Sequence, residues 1–117
     1  MNVRWTLFRT ASAAGVLAGA VLLIRPDEAL ARLAPEFPPA RRWVVRLLGA
    51  RLVAQHTAVL AAPSAALLRA AGGIDLLHAT TMLPLLRSPR YGRAARISGA
   101  VAASYGTWAS VAGRMGR

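Results

Sequence analysis

Four long apolar stretches, separated by short segments rich in arginine and proline, limit the fold of this sequence more than any other feature. A helix that crosses a bilayer needs about 17 to 25 mainly apolar residues. The stretches run over residues 7–24, 43–62, 64–86 and 97–113, and most of the charge lies near their ends. Because the 117-residue chain is also 56% hydrophobic, we predict an all-α integral membrane protein, a four-helix bundle that forms one domain over residues 1–117.

The segments between the stretches predict how the helices are connected. Pro63 and Ser64 mark the break between the second and third stretches, so these helices are expected to be antiparallel neighbours that form a central hairpin. The longest connection covers residues 25–42, where a short interfacial helix is expected to begin near Pro26. Pro84 is expected to bend or end the third helix.

The first stretch has a second interpretation, as a secretory signal peptide. Arg4 and Arg9 would form its basic region, and residues 29–31 (Ala-Leu-Ala) would form its cleavage site. Pro26 and the acidic pair at residues 27–28 lie between the apolar run and that site, which is atypical of signal peptides. We therefore favour a helix that is retained.

The charge of the chain is strongly positive, with a formal net charge of +11 and arginine at all 15 basic positions. Such a charge first suggests a nucleic-acid partner. The arginines lie at the ends of apolar stretches, however, and the aromatic residues are too few to form a stacking platform for bases. This placement favours a bilayer with anionic headgroups and excludes nucleic acid as the expected partner. The absence of lysine, with the richness in alanine and glycine, is typical of a GC-rich bacterial genome.

Motifs of soluble enzymes are missing from the sequence. Cysteine is absent, which excludes disulfides and thiolate chemistry. The sequence shows no phosphate-binding glycine loop, no paired metal-ligand spacing and no carboxylate dyad. We expect a protein that is not an enzyme, with no catalytic residues, metal or cofactor.

Four interior polar side chains of the second and third stretches need an explanation, since a charge costs about 2.5 to 3.5 kcal/mol in a membrane; Arg46 and Arg69 lie nearer the helix ends, where they can reach the surface. The four are Arg51, Gln55, Asp75 and His78. In an antiparallel hairpin with a rise of about 1.5 Å per residue, Asp75 comes level with the turn that carries Arg51 and Gln55. We predict an Arg51–Asp75 ion pair whose hydrogen bonding is completed by the other two residues. The pair either fixes the register of the hairpin or lines a ligand, proton or ion path.

The two histidines raise the alternative of a haem with two axial histidine ligands. At about 1.5 Å per residue, His56 lies roughly 20 Å deep and His78 roughly 12 Å deep, too staggered for one iron. His56 is better interpreted as a residue of a helix contact.

Small residues recur every four positions on the first and fourth stretches, and such stripes let helix backbones approach closely in lipid. The stripe residues are Ala11, Gly15, Gly19, Ala102, Gly106 and Ser110. A central hairpin of the second and third helices does not need these surfaces. We expect part of them to contact another membrane protein or a second copy of the chain.

Two short motifs indicate a family resemblance. Residues 46–51 (Arg-Leu-Leu-Gly-Ala-Arg) fall on the second helix, and residues 73–75 (Gly-Ile-Asp) place an acid on the third. With the chain length and the helix count, these motifs resemble the small four-helix DoxX-like bacterial membrane proteins. The resemblance implies the four-helix architecture. That group has no single agreed activity to carry over to this chain.

Two functions follow from these patterns. The first is an accessory or scaffold subunit of the inner (plasma) membrane that acts by helix packing with a partner protein. The alternative is a lipid-, quinone- or proton-handling membrane protein that uses the cluster of Arg51, Asp75 and His78.

Overall fold

The chain is all-helical in a computed structural model that describes residues 3–115. Within these residues there are five α-helices and no strand: Val3–Ile24 (α1), Pro26–Leu33 (α2), Arg42–Ala61 (α3), Ala65–Met82 (α4) and Gly92–Met115 (α5). Two 3₁₀ turns, Pro39–Arg41 and Leu83–Leu85, precede α3 and follow α4. The predicted all-α class is confirmed, and the short helix expected near Pro26 is α2.

The ends of the helices follow the helix breakers in the sequence. The Ser64 side chain caps α4 by accepting a hydrogen bond from the Leu67 backbone N–H at 3.1 Å. The α-helical part of α4 ends at Met82, next to the 3₁₀ turn that contains Pro84, as the missing N–H of proline predicts. The helix predicted to begin at residue 97 is α5, and it begins at Gly92. Its first turns contain arginine and alanine, which are both good helix formers although arginine is not apolar.

The helices form two compact units, of which the first contains α1 and α3, within residues 3–30 and 39–63. These two helices are antiparallel, because Gly15 lies against His56 while Gly19 lies against Gly49. Buried residues recur at steps of three, four or seven along the two helices, which places them on one face of each helix. They are Phe8, Ser12 and Gly19 on α1, and Val45, Gly49, His56 and Val59 on α3.

The second unit contains α4, α5 and the segment of residues 31–38. Its two long helices are also antiparallel, because Gly72 lies against Gly106 while Gly113 lies against Arg69. The buried residues are mostly small: Leu68, Ala71, Gly72 and Asp75 on α4, and Ala95, Ala102, Gly106, Ala109 and Ala112 on α5. Segment 31–38 adds Phe37, whose ring packs edge-on against Tyr91 with 5.3 Å between the ring centroids.

Residues 62–64, the position of the turn in the predicted central hairpin, connect α3 of the first unit to α4 of the second. The tight helix pairs described above are α1 with α3 and α4 with α5. The central hairpin of α3 and α4, like the single domain, stays a prediction.

Two of the described helices are long and apolar enough to cross a membrane, judged by length and composition. They cover Trp5–Ile24 and Pro39–Ala61, with mean hydropathies of 1.8 and 1.2. Few residues of either span are buried inside the protein, so most of their apolar side chains face outward. The predicted stretches at 64–86 and 97–113 correspond to α4 and α5, which are not among the helices that meet this criterion.

Candidate functional site

The first part of the candidate site is a polar pair on α3. Arg51 Nη1 donates a hydrogen bond to Gln55 Oε1 at 2.9 Å, and both side chains are half-buried. Residues four apart lie on one face of a helix, one turn above the other. The pairing lowers the cost of carrying a guanidinium into an apolar environment, because part of its hydrogen-bonding capacity is satisfied within the helix.

The second part is Asp75 on α4, an acidic residue that is only 2% exposed. It lies beside α5 at Gly106: a Cβ placed on Gly106 would be 3.1 Å from the Asp75 Cβ and 2.9 Å from the Gly72 carbonyl oxygen. The missing side chain at Gly106 therefore provides space for Asp75 in the helix contact. His78 follows one turn later and is half-buried, and its carbonyl accepts a hydrogen bond from Thr81 Oγ1 at 2.7 Å.

The four predicted cluster residues are divided between the two units. Arg51 and Gln55 belong to the first unit, and Asp75 and His78 belong to the second. The structure joins Arg51 to Gln55 by a hydrogen bond and places Asp75 and His78 three residues apart on one helix. The Arg51–Asp75 ion pair stays a prediction.

His56 is a buried polar residue of the first unit that the predicted site does not include. Its imidazole lies flat against α1, where a Cβ placed on Gly15 would be 2.5 Å from Nε2 and 2.6 Å from Cγ. The ring is 4% exposed, so it fills the space that Gly15 leaves. His56 is thus a helix-contact residue, as its sequence position predicts. The specific pairing with Gly15 was missed, although the spacing of Val45, Gly49 and His56 by four and seven residues is a signal that could have found it.

α1 also approaches α3 closely at Gly19 and Gly49. A Cβ on Gly19 would lie 2.7 Å from the Gly49 carbonyl oxygen, and a Cβ on Gly49 would lie 2.6 Å from the Gly19 carbonyl oxygen. Backbone thus meets backbone at this point, and a side chain at either position would separate the helices. In the sequence, Gly49 is recognisable only as part of the family motif at residues 46–51, which does not predict its contact with α1.

An equivalent approach joins α4 to α5 at Gly72 and Gly106. A Cβ on Gly72 would be 2.5 Å from Ser110 Oγ and 2.8 Å from the Gly106 carbonyl oxygen. The neighbouring Gly73 differs, because a Cβ there would meet nothing within 4 Å. Ala102, one turn before Gly106, is also buried.

These contacts show what the small-residue stripes do within each unit. Gly15 and Gly19 are covered by α3, and Gly106 is covered by α4. Ser12 is fully buried, whereas Ala11, which the spacing of four selects, is half-buried. The stripe surfaces that the sequence analysis assigned to a partner protein are therefore largely occupied by other helices of the same chain.

Among residues 3–115 no group of three His, Cys, Asp or Glu side chains is placed so that it could bind a metal ion. The polar side chains described above can form hydrogen bonds and ion pairs inside an apolar environment.

Comparison with known proteins gives no relative: no family model, curated protein or solved structure matches the chain. The resemblance to DoxX-like proteins stays a prediction.

Proposed function

We propose that this chain is a four-span membrane protein of the bacterial inner (plasma) membrane that acts as a non-catalytic accessory subunit. The observation that supports the membrane location is the exposed apolar surface of the helices. Leu17 on α1 and Val101 on α5 are 69% and 64% exposed, and large apolar side chains are exposed on α3 and α4 as well. Soluble monomers rarely expose extended apolar patches, which mark contact with lipid or with another protein.

The surface of the second unit supports two further spans, although α4 and α5 are less apolar on average. Within residues 64–86 and 97–113 the two charged side chains are withdrawn from the surface: Asp75 is buried, and Arg69 is half-buried, with its Nη1 donating to the Gly113 carbonyl oxygen at 3.4 Å. Exposed hydroxyls bond to carbonyls of the preceding turn, as for Thr80 with the Leu76 carbonyl at 2.9 Å and Ser104 with the Ala100 carbonyl at 2.8 Å. Such hydroxyls need no water, which suits a helix in lipid.

The accessory role is supported by what the helices present outward. The close contacts made by glycines are used inside the two units, so a partner would meet the leucine and valine faces. In a chain of this size, van der Waals packing against another membrane protein is the interaction that these faces can provide. The DoxX-like resemblance, which implies the same architecture, is part of this proposal.

Photo-crosslinking in intact cells tests the accessory role. A photoreactive amino acid is placed at outward positions (Leu17, Leu77 and Val101), with the buried Phe8 and Ala109 as matched controls. We expect outward positions to give a discrete protein adduct, found in the membrane fraction after carbonate washing, and buried positions to give none. Adducts with lipid alone at all three outward positions would refute the accessory role. Release of the chain by carbonate would refute membrane embedding.

A second function, proton, quinone or lipid handling, is favoured by one observation: Asp75 is buried on α4 in a chain proposed to lie in lipid. Ionisable residues in membrane segments commonly mark paths for ions or ligands. Proton flux into proteoliposomes containing the wild-type chain or Asp75→Asn tests this function. Equal flux for both proteins, at the level of empty vesicles, would reject proton handling.

A further inference from the structure

Arginine is unevenly compensated at the connections between the helices. In the first unit, the connecting residues include three arginines (Arg25, Arg41 and Arg42) and two carboxylates, those of Asp27 and Glu28. Arg25 Nη1 pairs with Glu28 at 3.2 Å, and Arg42 Nη1 pairs with Asp27 at 2.6 Å. Three arginines against two carboxylates leave one formal positive charge. The two ion pairs therefore neutralise most of the positive charge at this connection.

The connection between α4 and α5 has the opposite character. Residues 87–96, here called the basic turn, contain Arg87, Arg90, Arg93 and Arg96 and no acidic residue; the sequence has no acidic residue after Asp75. Segment 31–38, which packs against this turn through Phe37 and Tyr91, adds one arginine and one glutamate and so adds no net charge. The basic turn thus keeps four uncompensated positive charges.

The basic turn has a defined conformation. The Ser88 carbonyl accepts from the Gly92 N–H at 2.8 Å, and Ser88 Oγ accepts from the Tyr91 N–H at 3.1 Å. Arg96 Nη1 donates to the Leu86 carbonyl at 3.0 Å, which closes the turn from the other side. Gly92 is required at this point, because a Cβ there would lie 2.7 Å from the Leu86 carbonyl oxygen.

These contacts leave three arginines on the outside of the turn. Arg87, Arg90 and Arg93 are exposed, and they surround the first turn of α5. The N-terminal end of a helix carries a partial positive charge, which adds to the field of the arginines. Planar guanidinium groups bind phosphate oxygens through paired hydrogen bonds.

We propose that the basic turn binds anionic phospholipid headgroups, with Arg87, Arg90 and Arg93 as the phosphate-binding side chains. This inference rests on the proposed membrane embedding. Lipid is favoured over an acidic protein because Leu83 and Ile97, on the two sides of the turn, are exposed apolar residues. A turn between two lipid-facing helix ends lies at the level of the headgroups, where basic clusters attract anionic lipids.

Native mass spectrometry of the full chain tests the proposal. The protein is released from mixed micelles of phosphatidylglycerol and phosphatidylcholine, and the ratio of the two retained lipids is measured. We expect the wild type to prefer phosphatidylglycerol. Each arginine near the surface should contribute about fivefold at low salt, so the triple variant Arg87→Gln/Arg90→Gln/Arg93→Gln should lose most of the preference.

A charge-matched control separates this site from net charge. The variant Arg25→Gln/Arg41→Gln/Arg42→Gln removes the same charge from the connection that has carboxylates, and it should keep most of the preference. Equal losses in both triple variants, or retention of both lipids in equal amounts by the wild type, would overturn the proposal. If the triple variant does not fold, the single variants at residues 87, 90 and 93 carry the same test, each with about a fivefold loss.

Two further measurements define the ligand. Excess glycerol phosphate should not displace phosphatidylglycerol, and displacement would indicate a site for free phosphate instead of lipid. Carbonate extraction of each variant shows whether the chain remains embedded. Loss of embedding in the wild type contradicts the proposed function, whereas loss of lipid preference in an embedded chain contradicts this inference alone.

Discussion

The Gly19–Gly49 contact predicts the outcome of adding one methyl group at Gly49. Its Cβ would be 2.6 Å from the Gly19 carbonyl oxygen and 2.8 Å from the Leu23 backbone nitrogen, whereas ordinary contacts begin at 3.4 Å. Both neighbours are backbone atoms that cannot rotate away, so α1 and α3 must separate by about 0.8 Å at this point. Overpacking of this kind costs about 1 to 3 kcal/mol.

The helix propensity of alanine partly offsets that cost, because replacing glycine by alanine inside a helix gains about 0.5 to 1 kcal/mol. We therefore expect Gly49→Ala to lower the free energy of unfolding by roughly 1 to 2 kcal/mol. Gly73→Ala is the matched control, since a Cβ there meets nothing within 4 Å. The control should gain stability by up to about 1 kcal/mol.

The two variants are compared by titrating a denaturing detergent into mild-detergent micelles and following helix content and tryptophan fluorescence. Gly49→Leu, which adds a larger side chain at the same place, should destabilise the fold further while leaving insertion into the membrane intact. A Gly49→Ala protein as stable as Gly73→Ala would show that α1 and α3 do not meet at this glycine pair.

Three other predictions follow from the two units. Gly15→Ala should destabilise the first unit because the added methyl group would overlap the His56 ring. When Gly15→Ala is combined with His56→Ala, the loss of stability caused by the methyl group should largely disappear. The same loss in both backgrounds, measured by thermal melts, would exclude that contact. If Arg51 and Asp75 form the predicted ion pair, replacing either alone by leucine should cost about 3 to 5 kcal/mol, and replacing both should cost less in the same melts; two silent single variants would contradict the pair. The arginine-rich connections at 25–42 and 87–96 should face the cytoplasm, and the C-terminus should face the other side of the membrane. A C-terminal reporter that is active only in the cytoplasm should therefore be inactive. An active reporter would show that the predicted topology is wrong.

The helices themselves could be predicted from the sequence because their ends depend on local chemistry. Prolines lack the N–H that an α-helix interior requires. Ser64, which directly follows Pro63 in the break between two apolar stretches, is of a residue type that commonly caps helices, and it caps α4. Pro84 ends α4 for the same local reason. Predicted bounds were less accurate where arginines extend a helix past its apolar part, as at the start of α5.

The pairing of the helices could not be predicted in the same way. A stripe of glycine and alanine shows that a face allows close approach, but not which helix will use it. Gly15 and Gly19 therefore do not indicate that α3, which is separated from the end of α1 by 17 residues, covers them. Asp75 and His78 were recognisable as unusual residues in an apolar stretch, whereas the space for Asp75 beside Gly106 depends on α5 and becomes visible only when both helices are placed.

The antiparallel pairing within each unit has a consequence for how the chain is made. The tight contacts of the first unit involve residues up to Ala61, so they can form before α4 has emerged from the ribosome. The contacts of the second unit then need only α4, α5 and the short segment at 31–38, which is already present. During synthesis, the N-terminal part of a chain generally folds first. A chain released after residue 63 would therefore still form the α1–α3 pair, whereas one that ends inside α3 would leave the glycines of α1 uncovered and open to membrane quality-control proteases.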